Sequence, residues 1–201
     1  IADLSGYTAL TEAHGAHSAA DVVDKYIEIV EKSLIGSAAL HEKVGDEIMV
    51  VSPDPDELLL TASVLLQNAS MEENFLLLHG GLHYGKLLKR RNGYFGSALN
   101  LTARIASIAK AGSFYCSQEF VEAVGAPVDN FQVRGSFSFK NIAEERRIYE
   151  LIKDKTKFYR VDPVCRMLIQ SVANAWQHPH FQDTWFCSKD CLETYVKLHT
   201  V

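Results

Sequence analysis

Apolar positions along the chain follow two periods. Val22, Val23, Tyr26, Ile27, Val30 and Leu34 recur at the three- and four-residue intervals of one helix face. Ser18, with Asp21 three residues on, suits the start of that helix, and Gly36 its end. Leu58, Leu59, Ala62, Leu65 and Leu66 repeat the spacing after Asp54-Pro55, a helix-opening pair. A shorter helix is expected over 7–14, a third over 97–110 closed by Gly112, and a brief one from Ser117. Between them lie β-branched and aromatic runs. Ile1 to Leu4 is a short strand leaving through Ser5-Gly6, and Leu40 to Val51 folds back at Gly45-Asp46, a strong turn dipeptide. Further strands are expected over 80–88, 113–116, 131–139 and 147–152, with a polar turn from Arg90 to Gly93. Strands interleaved with helices predict an α/β or α+β sandwich with the helices on one face of the sheet.

At 201 residues the chain suffices for one large domain, or a medium one with a small appendage. The charged, non-periodic Lys153 to Lys157 places the division there: one unit over 1–153, a linker over 154–158 and a small unit over 159–201. A formal charge of -5 provides no basic field for a nucleic-acid polymer. No apolar run approaches the roughly 18 residues of a membrane span. Four cysteines in a chain this long do not resemble a secreted disulfide scaffold, which points to a reducing, cytoplasmic compartment. The chain opens directly on a strand without Met, so a targeting segment or another domain ahead of Ile1 stays open.

The candidate chemistry starts from two carboxylates at strand ends. Asp3 stands near the exit of the first strand and Asp46 at the hairpin tip. A hairpin-tip Asp on its own only turns the chain, whereas a second carboxylate nearby makes a cation site. Asn100 and Arg104, four apart, project from one helical face. Three of the four cysteines lie in the last 37 residues, beside both tryptophans and His178 and His180.

Together these motifs resemble the class III nucleotidyl cyclase catalytic domain over residues 1 to about 152. The resemblance implies a ferredoxin-like, palm-type α+β sandwich with a mostly antiparallel sheet. It also implies an enzyme in which the 3′-hydroxyl of ATP or GTP attacks its own α-phosphate, giving a 3′,5′-cyclic nucleotide and pyrophosphate. Ala2-Asp3-Leu4-Ser5-Gly6-Tyr7-Thr8 is similar to the first metal motif, with Asp3 a ligand, the Leu4 carbonyl a further oxygen, and the turn Ser5, Gly6, Tyr7 and Thr8 meeting phosphates. Gly45-Asp46 is similar to the second, with Asp46 the other carboxylate. Hard oxygen ligands imply two Mg²⁺ or Mn²⁺ ions. Phe95 to Arg104 resembles the family's FGxxVNxxxR stretch, in which Asn100 would orient the ribose and Arg104 would neutralise phosphoryl charge. Phe139-Lys140-Asn141-Ile142 resembles the closing motif, in which Lys140 would bind phosphate and Asn141 replaces the usual Gly.

The family's base-reading positions correspond to Glu42 and Gly93. Glu at the first is the guanine-type residue, but Gly at the second matches neither the adenine nor the guanine set. The purine therefore stays open, as does a catalytically weak nucleotide-binding or scaffold protein. Val44-Gly45-Asp46-Glu47-Ile48 also approaches the GGDEF signature of diguanylate cyclases, which lack the Asn/Arg helix. The class III resemblance further implies a homodimer, with the two aspartates of each site from one chain and the Asn and Arg from the other.

The tail is similar to a YHS domain over 159 to about 198. Asp162-Pro163-Val164-Cys165-Arg166-Met167 carries Arg where that pattern has Gly, and Cys187 and Cys191 keep the later CxxxC spacing. This resemblance implies zinc or another transition metal on Cys165, Cys187 and Cys191, with His178 or His180 completing four ligands. Three small buried core cysteines are the other reading.

Overall fold

The structure is a computed structural model describing residues 1–91, 93–152 and 160–199. The expected linker, 154–158, lies outside the described residues. In chain order the first unit contains β1 (Ala2–Leu4), α1 (Tyr7–Ser33), β2 (Ala39–Val44), β3 (Glu47–Val51), α2 (Pro55–Met71), β4 (Leu78–Leu82), β5 (Leu88–Arg90), β6 (Gly93–Phe95), α3 (Ser97–Ile108), β7 (Ser113–Ser117), α4 (Gln118–Ala123), β8 (Phe131–Phe137) and β9 (Arg146–Leu151). Seven strands form one sheet in the order β2-β3-β1-β4-β7-β9-β8, and β5 with β6 forms a separate ribbon. Every neighbouring pair in the large sheet is antiparallel except β4 with β7, whose parallel pairing needs the crossover that α3 supplies.

Alternation along the strands separates two faces. On β7, Phe114 and Cys116 join the main core with Tyr26, Leu65 and Phe120, whereas Tyr115 packs with Leu101 and Ile105 of α3. Helices α1, α2 and α4 therefore cover one face and α3 the other, which corrects the expectation of helices on a single face. An amphipathic stripe says that a helix packs on a sheet, not on which side. Room for α3 comes from Gly81, where a β-carbon would meet the Thr102 carbonyl oxygen at 2.5 Å.

Local chemistry accounts for the element ends. Asp54 caps α2 by accepting from the Asp56 and Glu57 amides at 2.8 and 3.4 Å, with Pro55 in the first turn. α1 is one long helix interrupted at Gly15 (φ 80, ψ 170), three residues before the expected Ser18 cap. The strand expected over 80–88 ends at Leu82, and only Leu88 returns to strand pairing, in the ribbon.

The tail forms β10 (Arg160–Val161), β11 (Leu168–Ile169), β12 (Trp176–Gln177), β13 (Trp185–Phe186) and α5 (Lys189–His199). It lies against α1 and the segment after α2. The Leu168 amide donates to the Phe75 carbonyl at 2.7 Å, the Gln170 side chain donates to the Ser70 carbonyl at 2.7 Å, and Met167 bridges to Leu76. Cys165, Met167, Phe186 and Cys191 share one buried cluster with Leu10 and Phe75. A segment this short holds little core of its own, so this shared packing supplies much of what stabilises it.

Candidate functional site

Strand pairing brings the two aspartates together. β3 pairs with β1 through Ile48 and Ala2, which sets the hairpin tip bearing Asp46 beside the exit of β1. Asp3 and Asp46 are within side-chain hydrogen-bonding reach. Burial, then the hydrogen bond and negative charge of Asp46, push the Asp3 carboxyl up to about 7. The Leu4 amide donates to Asp3 Oδ1 at 2.9 Å and orients it. Ala2 and Leu4 point into the main core, so Asp3 between them points to the opposite face.

His79, which the sequence did not single out, lies opposite Asp3 in the β1–β4 register. Its Nε2 is 4.0 Å from Asp3 Oδ2, and its Nδ1 shares a hydrogen bond with Ser5 Oγ at 2.9 Å. Burial lowers its basicity, partly offset by the charge of Asp46. Only the pairing of β1 with β4 makes His79 a neighbour of Asp3, and nothing in the local sequence announces that pairing.

The turn after Asp3 carries Ser5, Gly6, Tyr7 and Thr8 into the start of α1. Gly6 (φ 95) is the residue before the helix, whose first amides have no intrahelical acceptor and point outward. The Ser5 amide is already committed to the Leu77 carbonyl at 2.7 Å, so the donors left for an anion are those following it. Against this turn lies Arg166 of the tail, 2.5 Å from where a β-carbon on Gly6 would stand. Arg166 itself adopts φ 69, a left-handed conformation better suited to Gly.

Asn100 and Arg104 sit on the exposed side of α3, whose buried side is Ala98, Leu101, Ile105 and Ala106. Among the described residues no hydrogen bond or ion pair links either one to Asp3 or Asp46. Lys140 is exposed in the turn between β8 and β9, and Asn141 after it has φ 66, a left-handed conformation that Asn tolerates in place of Gly. Glu42 is exposed on β2 beside a register shift that falls between Leu40 and Glu42. Gly93 approaches β2 through His41, whose Nε2 would be 3.6 Å from a β-carbon there. An apolar cavity of about 390 Å³ between α2 and the sheet contains neither aspartate and is separate from this chemistry.

In the tail Cys165, Cys187 and Cys191 do come together, but His178 and His180 do not join them. His178 Nδ1 accepts from the His180 and Phe181 amides at 3.1 and 3.2 Å, and its ring packs on Phe181 at 4.6 Å. The imidazole at the cysteines is His14, from the end of the first segment of α1. Sequence separation hid it.

No family model matches the chain. A pH-sensitive adenylate cyclase of Mycobacterium tuberculosis is 28% identical over 161 residues, covering 78% of this chain and 41% of that protein. The chain thus spans less than half the length of this curated relative. Among solved structures, an adenylate cyclase of Trypanosoma brucei in its monomeric state superposes with a TM-score of 0.66 at 18% identity, over 75% of this chain and 85% of that one. The catalytic core of a rhodopsin-guanylyl cyclase with converted specificity, in complex with ATPαS, gives 0.61 at 15% identity, over 75% and 90%. The fold is that of the cyclase catalytic domains.

Proposed function

We propose that the chain is a class III nucleotidyl cyclase unit that converts ATP or GTP to the 3′,5′-cyclic nucleotide and pyrophosphate as a homodimer. The observation that carries this reading is the Asp3–Asp46 pair. Two carboxyls drawn from separate strand ends, one held protonated near neutrality by burial and by the other's charge, are a site that a divalent cation relieves. Asp3, Asp46 and the Leu4 carbonyl would hold two Mg²⁺ or Mn²⁺ ions, which supply charge stabilisation to the attacking and leaving oxygens.

The chain's own groups account for the rest. The 3′-oxygen forms a bond to the α-phosphorus while the bond from that phosphorus to the oxygen joining the α- and β-phosphates breaks, releasing pyrophosphate, and the hydroxyl proton leaves to solvent. The Gly6, Tyr7 and Thr8 amides receive phosphate oxygens. Arg104 and Lys140 offset the phosphoryl charge, and Asn100 orients the ribose. Asn100 and Arg104 face solvent without a partner among the described residues, which suits groups delivered to the site of a second copy. Val44 beside the hairpin tip and Phe95 just before α3 are exposed apolar side chains that a second copy would cover on this reading. Free cysteines at all four positions fit a reducing compartment such as the cytoplasm, and among the described residues no helix is long and apolar enough to cross a membrane.

Incubation with ATP or GTP and Mn²⁺, followed by identification of the product, tests the reading. A cyclic nucleotide is expected, and its loss in Asp46→Asn. Glu42 with the side-chain-free Gly93 favours a second reading, a nucleotide-binding scaffold without turnover. Tight binding of either triphosphate without cyclisation would establish that instead.

A further inference from the structure

Outside the carboxylate site, four ligand atoms from distant parts of the chain converge on one point. Cys165, Cys187 and Cys191 Sγ and a ring nitrogen of His14 all lie within 4.8 Å of one another. The Cys165–Cys187 and Cys187–Cys191 sulfur separations are 3.4 and 3.8 Å, and His14 Nε2 is 3.5 Å from both Cys187 and Cys191 Sγ. A tetrahedral Zn²⁺ with bonds of about 2.3 Å to sulfur and about 2.0 Å to nitrogen requires edges of about 3.8 Å between sulfurs and about 3.5 Å between sulfur and nitrogen. The Cys187–Cys191 edge and both His14 edges match these values, the Cys165–Cys187 edge is shorter at 3.4 Å, and the remaining pairs lie within 4.8 Å. Packing of small buried thiols accounts for the cysteines alone, but not for an imidazole nitrogen aimed at two of them.

The surroundings hold the thiols in place. Asp162, fully buried, accepts at Oδ1 from the Val164 and Cys165 amides (2.7 and 3.2 Å) and at Oδ2 from the Cys187 amide (2.8 Å), so one carboxylate fixes both cysteine turns. Ser188 Oγ accepts from the Cys191 amide at 3.2 Å. The N-terminus of α5, an eleven-residue helix starting at Lys189, adjoins Cys187 and favours thiolate charge. On the other side Gly15 breaks α1 directly after His14.

We propose that His14, Cys165, Cys187 and Cys191 form a structural Zn²⁺ site that staples the tail to the first segment of α1. Each thiol gives its proton to solvent on binding, and with neutral His14 the loaded site carries one negative charge. Four protein ligands leave no open position, which assigns the ion a holding role. This inference is independent of the cyclase reading.

The test uses the full chain, purified under reducing conditions, loaded with Zn²⁺ and dialysed. Elemental analysis is expected to find one ion per chain. Co²⁺ in its place is expected to show thiolate charge-transfer and tetrahedral d–d bands. Cys187→Ser should lose the ion. His14→Ala, at a half-exposed position and checked by circular dichroism for an intact fold, should bind ~10–100-fold more weakly with altered d–d bands. His178→Ala and His180→Ala should bind as the parent does. A chain that retains no ion, a His14→Ala variant that titrates like the parent, or a Cys165–Cys187 disulfide forming in the presence of Zn²⁺ would overturn the proposal.

Discussion

Gly6 and Arg166 fit together only because residue 6 lacks a side chain: a β-carbon there would stand 2.5 Å from the β-carbon of Arg166. The obstructing atom is next to the Arg166 backbone, so it moves only if the tail moves. Gly6→Ala also places a β-carbon at φ 95. The two effects together are expected to destabilise by ~2 kcal/mol or more, lowering Tm by ~4 °C or more. Arg166→Gly removes the obstruction at a left-handed position where Gly is at ease. The double variant should therefore recover part of the loss, a favourable coupling of ~1 kcal/mol in a thermal-denaturation cycle. Strictly additive losses would mean that the tail does not press on this turn.

The Asp3–Asp46 pair predicts how stability depends on pH without divalent metal. The Asp3 carboxyl stands at about 7 when folded, against 3.8 in its ordinary state. Between those values the native chain holds a proton that the unfolded chain has lost, so stability falls as pH rises. The contribution is complete below about pH 4 and gone above about pH 7. In EDTA, Tm should drop across this window. Asp46→Asn removes the like charge and should flatten the drop and raise Tm near pH 8, while reducing turnover by ~100-fold or more. Mn²⁺ competes with the proton, so its apparent affinity for the parent should increase with pH over the same window. A Tm profile identical in parent and Asp46→Asn would show that the two carboxyls do not interact.

A site shared between copies predicts complementation. Asp46→Asn and Arg104→Ala should each be nearly inactive alone, with Arg104→Ala down ~100–1,000-fold. Mixed and allowed to exchange, half the dimers pair the two variants, and each of those holds one site with both defects and one with neither. Activity should return to about a quarter of the parent's. Its absence, with exchange verified by differently tagged chains, would mean that Arg104 does not serve the carboxylates of the other copy.

Motifs whose chemistry is local were readable from the chain. The Gly45-Asp46 turn, the Asp54-Pro55 helix start and the stripe at 22, 26 and 30 appear where hydrophobic period and turn chemistry put them. What strand pairing decides was not readable. His79 faces Asp3 because β4 lies beside β1, and His14 meets Cys187 because the tail folds back on α1. Nearby His178 and His180 were the obvious partners by distance along the chain. Local amides and aromatic rings claim His178 instead. Asn141 and Arg166, where the resembled motifs carry Gly, both adopt left-handed backbone, with φ 66 and 69.

On the cyclase reading, base selection would fall to Glu42 and Gly93, an asymmetric pair whose backbone constrains what can be tested. Gly93 has φ 140, where any side chain is strained, and a β-carbon there would sit 3.6 Å from His41 Nε2. His41 is itself packed edge-on to Tyr94, with centroids 4.6 Å apart. Installing an acidic side chain at this position should therefore fail: Gly93→Asp is expected to destabilise by ~1–2 kcal/mol without favouring ATP. Glu42 is exposed on β2 and free to change. A carboxylate facing the base would accept from the guanine N1 and amino protons, and Lys would reverse that polarity. Glu42→Lys should shift the ATP-to-GTP ratio of kcat/KM by ~10-fold or more toward ATP, since one hydrogen-bonded contact of ~1.4 kcal/mol is worth that factor. An unchanged ratio in Glu42→Lys, with Tm preserved, would remove residue 42 from base reading and move that role to His41 and Tyr94.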